Sequence, residues 1–152
     1  MRQRGKKEPI NLVVVDSNFI LLPFQYRINY LEEIEDKLEG SVRFIIYQQV
    51  LDELNSKRRR WKGRKFALQY DAGLRYLEEM KSRYDICVES KERKMAEEIT
   101  DEFLLRKVKE LKSANLRVFL ATNDKRLRKQ AREVKVNLIY LRQEKKLEID
   151  FT

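Results

Sequence analysis

The segment Leu12-Val13-Val14-Val15-Asp16-Ser17-Asn18 decides the fold that this sequence predicts. Its four apolar residues are uninterrupted and mostly β-branched, which is typical of a strand buried on both faces of a parallel sheet. The polar residues from Asp16 onward end the strand in a turn or a helix cap. An acidic side chain directly after such a strand lies at the sheet edge where open parallel sheets bind their ligands.

Strands and helices alternate along the rest of the chain. Apolar runs predict further strands at 42–47, 84–88, 117–121 and 137–141, and a weaker edge strand at 146–151. Helical spacing of apolar residues predicts helices at 26–38, 48–56, 66–80, 99–111 and 125–134. This alternation indicates one α/β domain over residues 10–152, with a central parallel sheet covered on both faces, after a basic tail at 1–9.

The composition restricts the chemistry that is available. The 34 Lys and Arg residues outnumber the 25 Asp and Glu residues, and the net charge of +9 favours a polyanionic partner. The chain contains no histidine, which excludes histidine acid–base catalysis and argues against a zinc site. Hydrolysis would therefore use water activated by a metal or a carboxylate. The single cysteine, Cys87, lies in an apolar segment and is expected to be buried.

No apolar run reaches the roughly 20 residues that a membrane helix needs. The first nine residues are charged and lack the apolar core of a signal peptide. We therefore expect no membrane partner and a cytoplasmic location.

Four acidic residues occupy equivalent points in successive strand–helix units. Asp16 ends the first strand, Glu53 lies on the helix after the second, Asp101 begins a helix, and Asp124 closely follows the strand at 117–121. Each acid taken alone is compatible with a helix cap or a solvated helix face. Together they are expected to meet at one sheet edge, where crowded carboxylates repel each other unless a cation binds. The pattern predicts a site for Mg²⁺ or Mn²⁺.

Two basic stretches are candidates for binding nucleic-acid phosphates. The first is either a basic loop or a helical extension broken at Gly63, and its aromatic residue can stack on a base or pack on the core. The second lies beside Asp124 and can equally be a solvated helix face. The first stretch comprises Arg58, Arg59, Arg60, Trp61, Lys62, Arg64 and Lys65, and the second comprises Lys125, Arg126, Arg128, Lys129 and Arg132.

Four short motifs, taken in order, resemble those of the PIN-domain nucleases. They are VVVDSN at 13–18, VLDEL at 50–54, TDEFL at 100–104 and ATND at 121–124, within a span from residue 10 to residue 142. The resemblance implies a FEN-like α/β/α sandwich that cleaves RNA with Mg²⁺ or Mn²⁺. It also implies a role for each matched residue: Asp16, Glu53, Asp101 and Asp124 as the catalytic acids that hold the metal, and Asn18 and Thr122 as their polar support.

The segments at 124–129 and 138–142 look most like the archaeal and eukaryotic ribosomal-RNA-processing branch of that family. The VapC-type toxins are the nearest other branch. The resemblance implies RNA as the partner, single-stranded or a structured precursor, with a pre-ribosomal particle or a second copy of the chain as larger assemblies. The alternatives are a toxin ribonuclease held by an antitoxin and a non-catalytic RNA-binding scaffold.

Two of the acids have an acidic neighbour, in the pairs Asp52-Glu53 and Asp101-Glu102. Asp52 lies about 100° from Glu53 around the helix and is expected to face solvent when Glu53 faces the sheet edge. For the second pair, the sequence leaves open which member points into the site.

Overall fold

The computed structural model describes residues 9–60 and 63–152 and contains one six-stranded sheet flanked by helices. The strands are β1 (Ile10–Val15), β2 (Ser41–Tyr47), β3 (Asp85–Glu89), β4 (Arg117–Ala121), β5 (Asn137–Arg142) and β6 (Lys146–Asp150). The helices are α1 (Ser17–Ile20), α2 (Leu22–Gln25), α3 (Tyr30–Lys37), α4 (Gln48–Arg60), α5 (Arg64–Met80), α6 (Thr100–Ser113) and α7 (Lys125–Glu133). None of these helices combines the length and apolar character that spanning a membrane requires.

The strands are arranged in the order β3-β2-β1-β4-β5-β6. The first five are parallel, and β6 runs antiparallel to β5 at the edge of the sheet. The three-layer α/β/α architecture is therefore confirmed, with a sheet that is mixed rather than wholly parallel. The strand order reverses between β1 and β4, which opens a crevice beyond the carboxyl ends of these two strands.

The core is built around β1, whose residues from Asn11 to Val15 are all buried. Both helical layers pack on this central strand, so its β-branched side chains contact apolar groups on either face. Aromatic residues extend the core outward, and Tyr47 meets Phe103 edge to face at 5.1 Å between ring centroids. Such a pair contributes about 0.5–1.5 kcal/mol beyond its buried area. The contact holds α6 against the end of β2, close to the strand ends that carry the acids.

Several elements differ from the sequence-based expectation. The helix predicted at 26–38 begins only at Tyr30, because Arg27 has φ 56° and so interrupts helical geometry. Of the turn and the helix cap that were the alternatives after Asp16, the structure shows the cap, and two short helices that were not predicted, α1 and α2, follow it. The prediction that Cys87 is buried is wrong, because β3 is an edge strand and the thiol is exposed.

Of the two alternatives for the first basic stretch, the structure shows the helical extension, since α4 continues to Arg60. The predicted helix at 66–80 begins earlier, at Arg64. Trp61 and Lys62 lie outside the described residues.

The turn before β2 is restricted to glycine at position 40. Gly40 has φ 95°, and a Cβ atom there would lie 2.1 Å from the Pro9 carbonyl oxygen.

We expect Gly40→Ala to lower the free energy of unfolding by about 2 kcal/mol or more, because of the positive φ and the clash. Gly63→Ala is the control, because among the described residues no atom beyond its chain neighbours would lie within 4 Å of its Cβ. We expect that control to cost less than about 1 kcal/mol. Equal losses for the two variants in urea unfolding would show that position 40 tolerates a side chain as well as position 63 does.

Candidate active site

Asp16 is the buried centre of the acidic group. It caps α1, only 3% of its surface is exposed, and its backbone N–H donates to the Ala121 carbonyl at 2.9 Å. The Thr122 hydroxyl donates to Asp16 Oδ2 at 2.7 Å, and the Asn18 amide donates to the same oxygen at 3.2 Å. The backbone N–H of Ser17 donates to Oδ1 at 2.7 Å. These bonds hold the carboxylate in one orientation at the strand-order reversal.

A polar network connects Asp16 to Asp124. The Thr122 hydroxyl oxygen accepts from the Asp124 N–H at 3.1 Å, and Asp124 Oδ1 accepts from the Leu127 N–H at 2.9 Å as the cap of α7. The side-chain oxygen Oδ1 of Asn18 accepts a hydrogen bond from the Asn123 backbone N–H at 3.0 Å. Asn18 and Thr122 therefore join the starts of α1 and α7.

Sequence reasoning missed Asn123 as part of this network. Its side-chain oxygen accepts from the Leu141 N–H at 2.7 Å, which connects the turn after β4 to β5. The sequence could have indicated this role, because Asn123 lies beside Asp124 in a turn after a buried strand, where Asn side chains commonly hydrogen-bond to nearby backbone groups.

The four acids lie close enough to influence each other's ionisation. Burial raises the pKa of the Asp16 carboxyl to about 6, although the hydrogen bonds from Thr122 and Ser17 oppose the rise. The charges of Asp101 and Glu53 raise this pKa further. Burial also raises the pKa of Asp101, and the charges of Asp124 and Glu53 add to that effect. The structure thus brings all four predicted acids into one electrostatic cluster.

Glu53 carries an unpartnered oxygen in this cluster. Its Oε1 lies 3.5 Å from the Lys57 ammonium nitrogen, whereas its Oε2 is buried and has no hydrogen-bond partner among the described residues. A buried oxygen without a partner is costly, and a bound cation would remove that cost. Glu53 and Asp101 also face one open cavity of about 290 Å³, together with Lys94.

The structure distinguishes the members of both acidic pairs. Asp52 is exposed, as expected, and accepts from the Gln48 amide at 3.0 Å on the surface of α4. Glu102 is also exposed, and its carboxylate accepts from the Ile99 N–H at 3.1 Å at the start of α6. Glu53 and Asp101 are the members that face the cluster.

The acids do not converge on a single point. Over residues 9–60 and 63–152, no group of three or more Asp, Glu or Cys side chains is arranged to hold a metal ion. The donor set is nevertheless chemically suitable for a hard cation, since every acidic ligand is a carboxylate oxygen and Glu53 Oε2 is unpartnered.

The residues of the first basic stretch differ in their availability. Arg58 pairs with Asp71 at 3.2 Å and lies over the Tyr70 ring, so it joins α4 to α5. The remaining described cations are exposed at the end of α4 and the start of α5; they are Arg59, Arg60, Arg64 and Lys65.

The second basic stretch lies on α7 next to Asp124. Lys125, Arg126 and Lys129 are exposed. Arg128 lies over the Tyr140 ring at 4.4 Å, and Arg132 pairs with Asp150 at 2.7 Å. The exposed cations lie near the acids, since the charge of Arg126 lowers the pKa of Asp101 and partly offsets its rise.

Comparison with protein families identifies the domain. A family model described as a PIN-like domain matches residues 13–144, which include all four acids. The chain belongs to the PIN-like domain family. The resemblance predicted from the sequence is therefore confirmed. A search of curated protein sequences found no significant match.

Two solved structures share the fold of this PIN domain, and a third matches with a lower TM-score. The PIN domain endonuclease Utp24 matches with a TM-score of 0.65 and 18% identity, covering 93% of this chain and 92% of that one. A domain of a functionally unknown protein from Methanocaldococcus jannaschii matches with a TM-score of 0.60 and 22% identity, covering 93% and 97%. VapBC2 from Rickettsia felis, solved with a promoter DNA fragment, matches with a TM-score of 0.42 and 14% identity, covering 86% and 99%.

The raised pKa of Asp16 predicts how the stability of this PIN domain changes with pH. The folded-state pKa of about 6 exceeds the ordinary value of 3.8, so the folded state binds the proton more tightly. The contribution of Asp16 to stability should therefore fall as pH rises from about 4 to 6, by about 3 kcal/mol in all. Urea unfolding in EDTA should show Asp16→Asn gaining stability relative to the wild type across this range. Parallel pH profiles for the two proteins would contradict the prediction.

Proposed function

We propose that this PIN domain is an endoribonuclease that depends on Mg²⁺ or Mn²⁺, with Asp16, Glu53, Asp101 and Asp124 as its catalytic metal ligands. The observation that carries the proposal is the immobilised, buried Asp16 carboxylate, which lies within electrostatic reach of the other acids. The PIN-like family match supports a nuclease.

The residues of the cluster suit this chemistry. A bound divalent ion would lower the pKa of a water ligand and neutralise charge that develops on the phosphoryl oxygens. Thr122 and the Ser17 N–H hold Asp16 in one orientation, so this ligand itself requires little reorganisation to bind an ion. Asp101 and Asp124 are the candidates to orient the attacking water, because both are less buried than Asp16.

RNA is the proposed substrate. The net charge of +9 favours a polyanion, and exposed arginines and lysines on α4, α5 and α7 are available to its phosphates. The segments at 124–129 and 138–142 resemble the ribosomal-RNA-processing branch, and the fold is shared with the PIN domain endonuclease Utp24. We therefore propose a ribosomal RNA precursor as the substrate, in the cytoplasm, with a pre-ribosomal particle or a second copy of the chain as the larger assembly.

The two acidic pairs provide matched controls for the catalytic roles. We expect Asp16→Asn, Glu53→Gln and Asp101→Asn each to reduce Mn²⁺-dependent cleavage of single-stranded RNA by about 100-fold or more. Asp52→Asn and Glu102→Gln remove the same charge one residue away, and we expect them to retain activity within about threefold, because their side chains lie outside the cluster. A gel assay with end-labelled RNA measures both sets.

Equal losses of cleavage activity in the two sets would show that activity depends on the net charge of the protein and not on the acidic cluster. RNA binding without cleavage by the wild type would favour the scaffold alternative.

Metal binding should be measurable without activity. Because an ion that binds only the folded state stabilises it, Mg²⁺ or Mn²⁺ should raise the melting temperature of the wild type. The double variant Glu53→Gln/Asp124→Asn should lose this rise. The control Asp52→Asn/Glu102→Gln should keep it. A full rise in the first double variant would place the ion elsewhere.

A further inference from the structure

An apolar groove opens beside Asp16, between the short helices α1 and α2 and the longer helices α4 and α5. Its volume is about 260 Å³. Leu21, Leu54 and Phe66 form its apolar lining, and both leucines are buried in the core. The amides of Asn18 and Gln25 and the ammonium group of Lys57 supply its polar groups.

One wall of this groove depends on a close contact between α5 and the residues at the end of α1. A Cβ atom at Gly73 of α5 would lie 3.0 Å from Leu21 Cδ2 and 3.1 Å from the Ile20 carbonyl oxygen. A side chain at position 73 would therefore require these neighbours to shift, and glycine favours the close approach that shapes the groove.

Two residues belong both to the groove and to the acidic cluster. Asn18 donates to Asp16 Oδ2 at 3.2 Å, and Lys57 Nζ lies 3.5 Å from Glu53 Oε1. A polymer that places one phosphate at the acids therefore brings its neighbouring unit to the mouth of the groove. Lys57, at the junction, can neutralise a phosphate between the two.

We infer that the groove holds an unpaired nucleobase next to the phosphate that is cleaved. This inference rests on the proposed function and extends it to substrate specificity. A base presents flat apolar faces to the lining and a hydrogen-bonding edge to the Gln25 amide, which can both donate and accept. A phosphate group suits the Lys57 ammonium at the junction, but it would lose its hydration against the apolar lining formed by Leu21, Leu54 and Phe66. Only a base that has left a duplex can enter, so the site selects single-stranded or looped RNA.

Abasic substitution tests the groove directly. The substrate is a single-stranded RNA with one mapped cleavage position, compared with versions that lack the base on either flanking nucleotide. For the wild type, we expect one of these two lesions to lower kcat/KM by about tenfold or more, because base stacking is lost. In Phe66→Leu, the same missing base should lower kcat/KM by less than about threefold. Leu68→Ala changes an exposed residue on the same helix outside the groove and should behave as the wild type.

A second variant tests the groove even if Phe66→Leu does not fold. Gln25 is exposed, so Gln25→Ala is expected to fold. It should change which of the four bases is preferred at the sensitive nucleotide. The melting temperature of every variant is measured alongside its activity. An unchanged base preference in folded Gln25→Ala would overturn the role of that amide.

A binding readout separates the groove from catalysis. In EDTA, 2-aminopurine placed at successive positions of the RNA should change fluorescence at one position on binding the wild type, and this change should be lost in Phe66→Leu. If abasic sites do not change kcat/KM, or if a duplex is cleaved as fast as single-stranded RNA, the groove does not bind a base. Either result would leave the nuclease proposal intact. Loss of the fluorescence change in Phe66→Leu without any cleavage by the wild type would support the groove and overturn the nuclease proposal. No fluorescence change at any position would overturn the groove.

Discussion

The burial of the Asp16 carboxylate at the ends of β1 and β4 is the constraint on which the rest of the site depends. Removing this group from water raises its pKa to about 6, which corresponds to a cost of about 3 kcal/mol when it is ionised at neutral pH. This cost is a net value, which the hydrogen bonds from Thr122 and the Ser17 backbone already reduce. Thr122 and Asn18 also accept hydrogen bonds from the backbone N–H groups of Asp124 and Asn123 at the start of α7. The ionisation of Asp16 is therefore coupled to the arrangement of this sheet edge.

A cation at this edge would change the balance of charges. The charges of Asp101 and Glu53 add to the rise in the pKa of Asp16. A bound cation would make the same crowding a source of affinity, since each charge that raises the pKa would then stabilise the ion. The positive net charge acts over a longer range and attracts phosphates toward a locally negative site. Salt should weaken that attraction more than it weakens binding within the cluster.

The parts of the structure that follow from local patterns were predictable. The strand at 117–121 has the predicted bounds, and its apolar run ends at Ala121, where the polar residues Thr122 and Asn123 follow. The positions of the four acids followed from the rule that parallel strands present their carboxyl ends at one edge. Helices α1 and α2 were not predictable, since four-residue helices have too few positions to show a period. The exposure of Cys87 depends on β3 lying at the sheet edge, which strand order decides and periodicity does not.

The groove depends on contacts that no sequence pattern reveals. It exists because Gly73 lets α5 approach Ile20, while Phe66, Leu54 and Leu21 converge from three separate parts of the chain. The acidic cluster borders the groove through Asn18 and Lys57, and it borders the open cavity through Glu53 and Asp101. Under the proposed function, an RNA strand would place one base in the groove and its phosphate at the acids.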